Sequence, residues 1–176
     1  YDMGYAEKVG LLKMDFLGIK TLDIIWDAVD KIKHVHGIEI SPYKDIPLDD
    51  KKTFDMLAEG KSIGTFQLES GGMQGALQTI RPTEFNDLIA IVALYRPGPM
   101  AHIPTYAARK RGDEEVTYID PRLEAILDET YGIVTYQEQS MLIARELGGF
   151  TPGQADDLRK AIGKKLRDKM DLLKAP

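Results

Sequence analysis

Two stretches of this chain bring together side chains able to do chemistry on phosphates. The first is GLLKMDFLGIKTL, residues 10–22, where Lys13 and Asp15 stand two apart in an otherwise apolar run. In an extended backbone, residues i and i+2 project from one face, so the ammonium and the carboxylate point the same way. A carboxylate at a strand end is a hard oxygen ligand of the kind Mg²⁺ takes alongside substrate phosphates. The plain alternative is a helix N-cap or a surface charge. A two-ion phosphoryl-transfer site needs more than one carboxylate, and no second aspartate repeats that context. Asp23, Asp27 and Asp30 fall on the solvent side of the helix expected next. If Asp15 binds metal, its fellow ligands lie outside this sequence.

The second stretch is ADDLRKAIGKK, residues 155–165. On a helix, Asp156, Lys160 and Lys164 share a face, with Arg159 and Gly163 beside it. A guanidinium can grip phosphate oxygens with two parallel hydrogen bonds, and lysines add point charge. A nucleoside triphosphate, with about four negative charges, needs such cations. A glycine at Gly163 would let a bulky partner approach the backbone. The same pattern also describes a solvated helix laced with i, i+4 pairs, Asp156 to Lys160 among them. Spacing does not choose between these readings.

Charge distribution argues against general polyanion binding and leaves two readings of the basic segment, a solvated helix face or a local anion site. The net charge is −5, yet residues 159–174 hold seven basic side chains against Asp168 and Asp171 only. An acidic protein with one basic segment is a poor generic nucleic-acid binder and a reasonable holder of a discrete anion. Cysteine is absent, which excludes thiolate metal sites and disulfides and suits a reducing compartment. No apolar run approaches the ~20 residues that span a bilayer, and no signal peptide is recognisable. The 176 residues suit one domain or a piece of a larger protein. A start at Tyr1 suggests an excised fragment.

The elements that must position these groups read mainly as helices. Residues 11–16 alternate, with Lys13 and Asp15 on one side and Leu12, Met14 and Phe16 on the other, which predicts a half-buried strand ended by Gly18. A helix follows, with Leu22, Ile25, Ala28, Val29 and Ile32 at helical spacing and Gly37 as its stop. Asp49 or Asp50 caps a short helix over residues 51–60, and Ser70 caps one through Gln78. Thr83 caps the next, whose stripe is Phe85, Leu88, Ile89 and Val92; RPGP, residues 96–99, breaks it. Arg109, Lys110 and Arg111 form a basic cluster on a helix end or loop. Asp120 with Pro121 opens a further helix, and another runs to Gly148. Thr151 and Gln154 form a capping box with Pro152 in the first turn. The sum is one strand followed by six or seven helices, and a lone strand needs sheet neighbours from elsewhere.

Weaker signals favour structural readings. His34 and His36 at i, i+2 on a helix point apart and suit a helix end better than a metal; His102 stands alone. The Gly71–Gly72 pair is no GxxxxGK[ST] loop, and a helix-start turn explains it. Arg96 can cap carbonyls or meet an anion. The Tyr and Phe residues fall mostly on apolar faces, as core rather than a stacking platform.

Five segments together, LLKMDFLGIKTL, GTFQLESGGM, DLIAIVALYRPGPM, LDETYGIVTYQEQ and ADDLRKAIGKK, closely resemble the alpha subunits of bacterial DNA polymerase III, the C-family replicative polymerases. They occur in the family's order over nearly the whole chain; residues 113–122 match least distinctively. The resemblance implies a larger α+β polymerase with a palm like that of polymerase beta and three catalytic aspartates, two of them in an upstream motif absent from this sequence. The third falls on Asp15. Residues 1–20 are then the last part of the palm, a palm-edge β-strand, and residues 21–176 the N-terminal part of a mainly α fingers domain.

The implied roles follow position by position. Asp15 helps hold two Mg²⁺ ions that activate the primer 3′-hydroxyl. Lys13 reaches a phosphate of the incoming dNTP, as do Arg159 and Lys160. Many relatives carry Arg-Arg at the last two positions, and lysine at 160 gives up bidentate geometry. Lys164 and Lys165 contact phosphate or template. Gln67, Ser70 and Arg96 lie in family motifs without assigned roles, Gln67 and Arg96 being phosphate-contact candidates. The implied reaction is template-directed dNTP incorporation, 5′ to 3′, in the cytoplasm. The implied partners are primer-template DNA, dNTP and, through regions absent here, the sliding clamp, clamp loader and other replisome subunits. The fragment alone is expected to be inactive. Two alternatives stay open: an error-prone paralogue of the same family, and a non-catalytic helical module binding nucleotide or nucleic acid through residues 159–174.

Overall fold

The computed structural model describes residues 2–12, 14 and 16–173. Lys13 and Asp15 therefore lie outside the described residues. The chain divides into two compact units, Tyr1–Pro47 and Leu48–Pro176.

In the first unit, α1 (Met3–Lys8) is capped by Asp2, whose carboxylate accepts from the Gly4 amide. Helix α2 (Lys20–His36) ends on Gly37 in the left-handed conformation, φ +67°, as the stop signal predicts. No residue of α2 is buried. Trp26 stacks at a tilt against Tyr43.

The expected palm-edge strand is absent: the described residues contain no β-strand. Residues 11, 12, 14 and 16–19 are irregular, and Phe16 is 95% exposed. Alternation specifies which side chains share a face. It supplies no hydrogen-bond partner, and without a neighbouring strand the ladder cannot form. The fold class is corrected to helical throughout the described residues.

In the second unit the polar starts work largely as the sequence predicts. Asp50 caps α3 (Lys51–Ala58), accepting from the Thr53 amide at 2.9 Å. Ser70 caps α4 (Gly71–Ile80) through the Met73 amide. Asp120 and Pro121 open a 3₁₀ turn, Pro121–Leu123, leading into α7 (Glu124–Leu127). Helix α8 spans Gln137–Glu146. Thr151 and Gln154 form the reciprocal box at the start of α9 (Pro152–Gly163), and α10 covers Arg167–Leu172. More helical segments occur than the sequence predicts, among them α1 and α10, each of six residues.

Helix α5 (Phe85–Leu94) departs from expectation. Its N-cap is Glu84, and Asp87 at the third position accepts from the Glu84 and Thr83 amides at 3.2 and 2.8 Å. Thr83 is thus a donor to the cap, not the cap. The buried stripe is Asp87, Ala90, Ile91 and Leu94, while Phe85 and Ile89 are about half exposed. Both sides of this helix are rich in apolar residues, so spacing alone could not say which side turns inward.

The core gathers Leu57, Leu77, Ile80, Ile91, Leu94, Ile103 and Tyr106 from α3, α4, α5 and α6 (Ile103–Arg111). Ile133, from the segment before α8, joins them, and Tyr131 packs edge-on against Tyr106 at 5.0 Å between ring centres. Helices α8 and α9 pack on each other, as do α9 and α10. The aromatic residues divide: Phe54 and Tyr106 are buried, Phe66 and Phe85 are about half exposed and Tyr43 is largely exposed, so the expectation that they are mostly core holds only for some.

Candidate functional site

Helix α9 is anchored by its small apolar face: Ala155 and Ala161 are fully buried. That leaves Asp156, Arg159 and Lys160 at its partly exposed edge, with side chains 34%, 34% and 53% exposed. One carboxylate holds both cations. Asp156 Oδ1 accepts from Arg159 Nε at 2.9 Å and from Nη2 at 2.7 Å. Its Oδ2 meets Lys160 Nζ at 2.7 Å. Arg159 Nη1 also donates to Gln137 Oε1 at 3.4 Å, across from α8. The two basic neighbours hold the Asp156 carboxyl below its ordinary value, Lys160 contributing first and Arg159 next, and Asp156 in turn raises Lys160.

The pairing is the one the solvated-helix reading predicts, and it leaves the phosphate reading open. The i, i+3 and i, i+4 pairs form, yet the pair of cations outweighs its one acid by a unit charge, and both remain reachable from solvent. Lys164 is the C-cap of α9, and Lys165 follows it in the left-handed region at φ +53°. Both are exposed; their backbone amides donate to the Lys160 and Ile162 carbonyls, and among the described residues neither side chain makes a hydrogen bond or ion pair. A Cβ at Gly163 would meet nothing within 4 Å, so internal packing does not require glycine there.

Gln67 sits in an exposed turn at φ +64°. The turn is tied by Ser62, fully buried, whose hydroxyl donates to the Leu68 carbonyl at 2.5 Å. Arg96 is exposed just past α5. Tyr95 beside it lies against the first turn of α4: a Cβ on Gly72 would fall 1.8 Å from its hydroxyl oxygen. The FQLESGG and YRPGP segments therefore touch. No hydrogen bond or ion pair among the described residues links Gln67 or Arg96 to the α9 cations.

The other basic cluster is structural. Arg109, Lys110 and Arg111 form the last turn of α6. Arg109 donates to the Tyr131 carbonyl at 3.0 Å and pairs with Glu114. Arg111 reaches the Thr79 carbonyl and Asp113. Lys110, 9% exposed, contacts the Arg81 carbonyl, the Thr83 hydroxyl and the buried Asp87 carboxylate at 3.2 Å. The Tyr106 hydroxyl approaches the same carboxylate at 3.4 Å, and burial first, then Asp87, pushes that phenol well above its ordinary range. These cations are spent on helix ends.

Sequence reasoning missed Gln137 and Asp87. Gln137 stands 22 residues from Arg159, and no local spacing pairs them. Asp87 had a usable signal, an acid three residues after Glu84 in a cap context, masked by the threonine before it. Among the described residues no group of three or more His, Cys, Asp or Glu could hold a metal ion. No helix among them is long and apolar enough to cross a membrane.

The family described as "Bacterial DNA polymerase III alpha subunit finger domain" matches residues 21–175. The DNA polymerase III subunit alpha of Aquifex aeolicus (strain VF5) is 51% identical over 176 residues, covering 99% of this chain and 15% of that protein. That of Thermus aquaticus is 50% identical over 97% of this chain and 14% of the relative. That of Halalkalibacterium halodurans is 49% identical over 93% and 14% respectively. The chain thus spans about one seventh of the length of these relatives.

Proposed function

Since the chain belongs to the bacterial DNA polymerase III alpha subunit finger-domain family, we propose that it supplies the nucleotide-binding side of a DNA-directed, replicative DNA polymerase. The observation that carries this reading is the arrangement on α9. Arg159 and Lys160 leave one turn of helix together, net positive and open to solvent, within the matched residues. Arg159 and Lys160 hold the triphosphate of the dNTP, and cations placed where charge builds on the leaving pyrophosphate lower the barrier without reorganising. Lys164 and Lys165 take phosphates of the template-primer, with Gln67 and Arg96 as further contacts on the α4–α5 side. Polymerase activity, primer-template DNA and the clamp and replisome partners belong to the whole protein, and the cytoplasm is its place of work.

Residues 1–20 are assigned to the edge of the palm and 21–176 to the fingers. Lys13 reaches the nucleotide and Asp15 is the catalytic carboxylate of this chain. The described residues do not by themselves fit a two-ion Mg²⁺ site, so that assignment rests on Asp15 with two aspartates outside the chain. When bound, such ions activate the primer hydroxyl and neutralise the triphosphate; this chain's own cations bind and orient the phosphates.

The experiment is primer extension by the full-length polymerase carrying Asp15→Ala, with folding checked by circular dichroism. Extension is expected to be abolished with the fold intact. Near-normal extension would remove Asp15 from the chemistry and return the chain to the reading of a binding module.

A further inference from the structure

The fork of Arg159 that best fits a phosphate is already occupied. Its Nε and Nη2, the edge that makes parallel bonds to an oxyanion, both point at Asp156 Oδ1, at 2.9 and 2.7 Å. Lys160 is held by the other oxygen at 2.7 Å. Gln137 takes one Nη1 hydrogen from the far side. The carboxylate thus occupies the place of an anion, and the two cations it holds are the ones read above as gripping the triphosphate, on which this inference rests.

We infer that Asp156 is an internal competitor for the triphosphate: nucleotide binds by displacing its carboxylate from Arg159 and Lys160, and the carboxylate returns as pyrophosphate leaves. The exchange keeps both cations paired at every stage. With nucleotide absent, Asp156 holds Arg159 and Lys160 together against their mutual repulsion. With nucleotide bound, it opposes the phosphates, which limits how tightly substrate and product are held. No bond forms or breaks in this step; one set of charge-assisted hydrogen bonds is exchanged for another. Gln137, being neutral, steers the guanidinium without adding to the competition.

The sign of the effect separates this role from a structural one. Loss of a purely structural ion pair loosens the site and raises KM. Loss of a competitor lowers it. A unit charge about 4 Å away in a water-like medium changes an equilibrium by roughly fivefold, so Asp156→Asn is expected to lower KM for dNTP by about fivefold. It should lower the inhibition constant of inorganic pyrophosphate by a similar factor. The side chain is 34% exposed on a helix edge, and asparagine keeps its shape, so folding is preserved.

The test is steady-state primer extension by the full-length polymerase, varying dNTP and inorganic pyrophosphate, for wild type, Asp156→Asn, Asp156→Glu and Arg159→Ala. The expected pattern is lower KM and tighter pyrophosphate inhibition for Asp156→Asn, with higher KM for Arg159→Ala. Asp156→Glu, which keeps the charge, should retain a KM above that of Asp156→Asn. An unchanged or raised KM in Asp156→Asn, alongside a raised KM in Arg159→Ala, overturns the competition and leaves the triphosphate reading standing. A drop in KM as large for Asp156→Glu as for Asp156→Asn also overturns it, because charge is then not the cause. An unchanged KM in Arg159→Ala removes the triphosphate reading, and the competition with it.

Discussion

Removing the Asp87 carboxylate should be among the most damaging single changes in the 48–176 unit. Asp87 is 1% exposed. It caps α5 through two backbone amides, meets Lys110 at 3.2 Å and accepts from the Tyr106 hydroxyl. Asp87→Ala loses the cap, worth about 1 kcal/mol, and leaves the 9%-exposed ammonium of Lys110 without its counter-charge. Breaking one side of a buried pair costs about 3–5 kcal/mol. Lys110 keeps the Arg81 carbonyl and the Thr83 hydroxyl, which places the pair's share in the lower half of that range and the total with the cap at about 4–5 kcal/mol. Asp87→Ala with Lys110→Met removes the stranded charge as well, so the double variant should be more stable than the single one. The double-mutant cycle should return a coupling of about 1–3 kcal/mol. Urea unfolding of the 176-residue chain, followed by helical circular dichroism and by the tyrosine near-ultraviolet signal, measures all three variants. A single variant within about 1 kcal/mol of wild type, or purely additive effects, would refute the stranded-charge account.

Gly72→Ala should destabilise the same unit by about 2 kcal/mol, the usual cost of forcing extra volume into a packed contact. The new Cβ would sit 1.8 Å from the Tyr95 hydroxyl and 2.9 Å from its Cζ; urea unfolding of Gly72→Ala with Tyr95→Ala should then show less than the sum of the two single losses. Acid titration offers a third check. Hydrogen bonds from Arg122 lower Asp120 from 3.8 to about 2. A carboxyl lowered on folding stabilises fully above its unfolded value and loses that contribution as pH falls through its folded one. Asp120→Asn should therefore reduce stability near neutral pH more than near pH 2, and Arg122→Ala should bring the carboxyl ¹³C titration midpoint of Asp120 back toward 3.8.

How far the fold was legible depended on whether its signals were local. Asp50, Ser70, Asp120 and the Thr151–Gln154 box each bond within two or three residues, and each acts where the sequence places it. The α5 start failed because two candidate caps, Thr83 and Glu84, stand side by side, and the buried Lys110 contact lies 23 positions beyond Asp87. The strand at 11–16 failed for the opposite reason. Its pattern is local and clear, but a strand is completed only by hydrogen bonds from another segment. The candidate site divides in the same way. Arg159, Lys160 and Asp156 share one helical turn and could be paired from spacing; Gln137 could not.

By itself, the sequence determined the helix starts at Asp50, Ser70, Asp120 and Thr151, the family to which the chain belongs and the placing of two cations on one turn of α9. Only the tertiary structure decided which side of α5 turns inward, that Arg109, Lys110 and Arg111 bond to carbonyls at helix ends, and that Gln137 reaches Arg159 from α8. The physical reason is range. Caps, turns and i, i+4 pairs are closed by backbone geometry within a few residues, whereas burial and long-range charge pairing depend on which helices the packed core brings together.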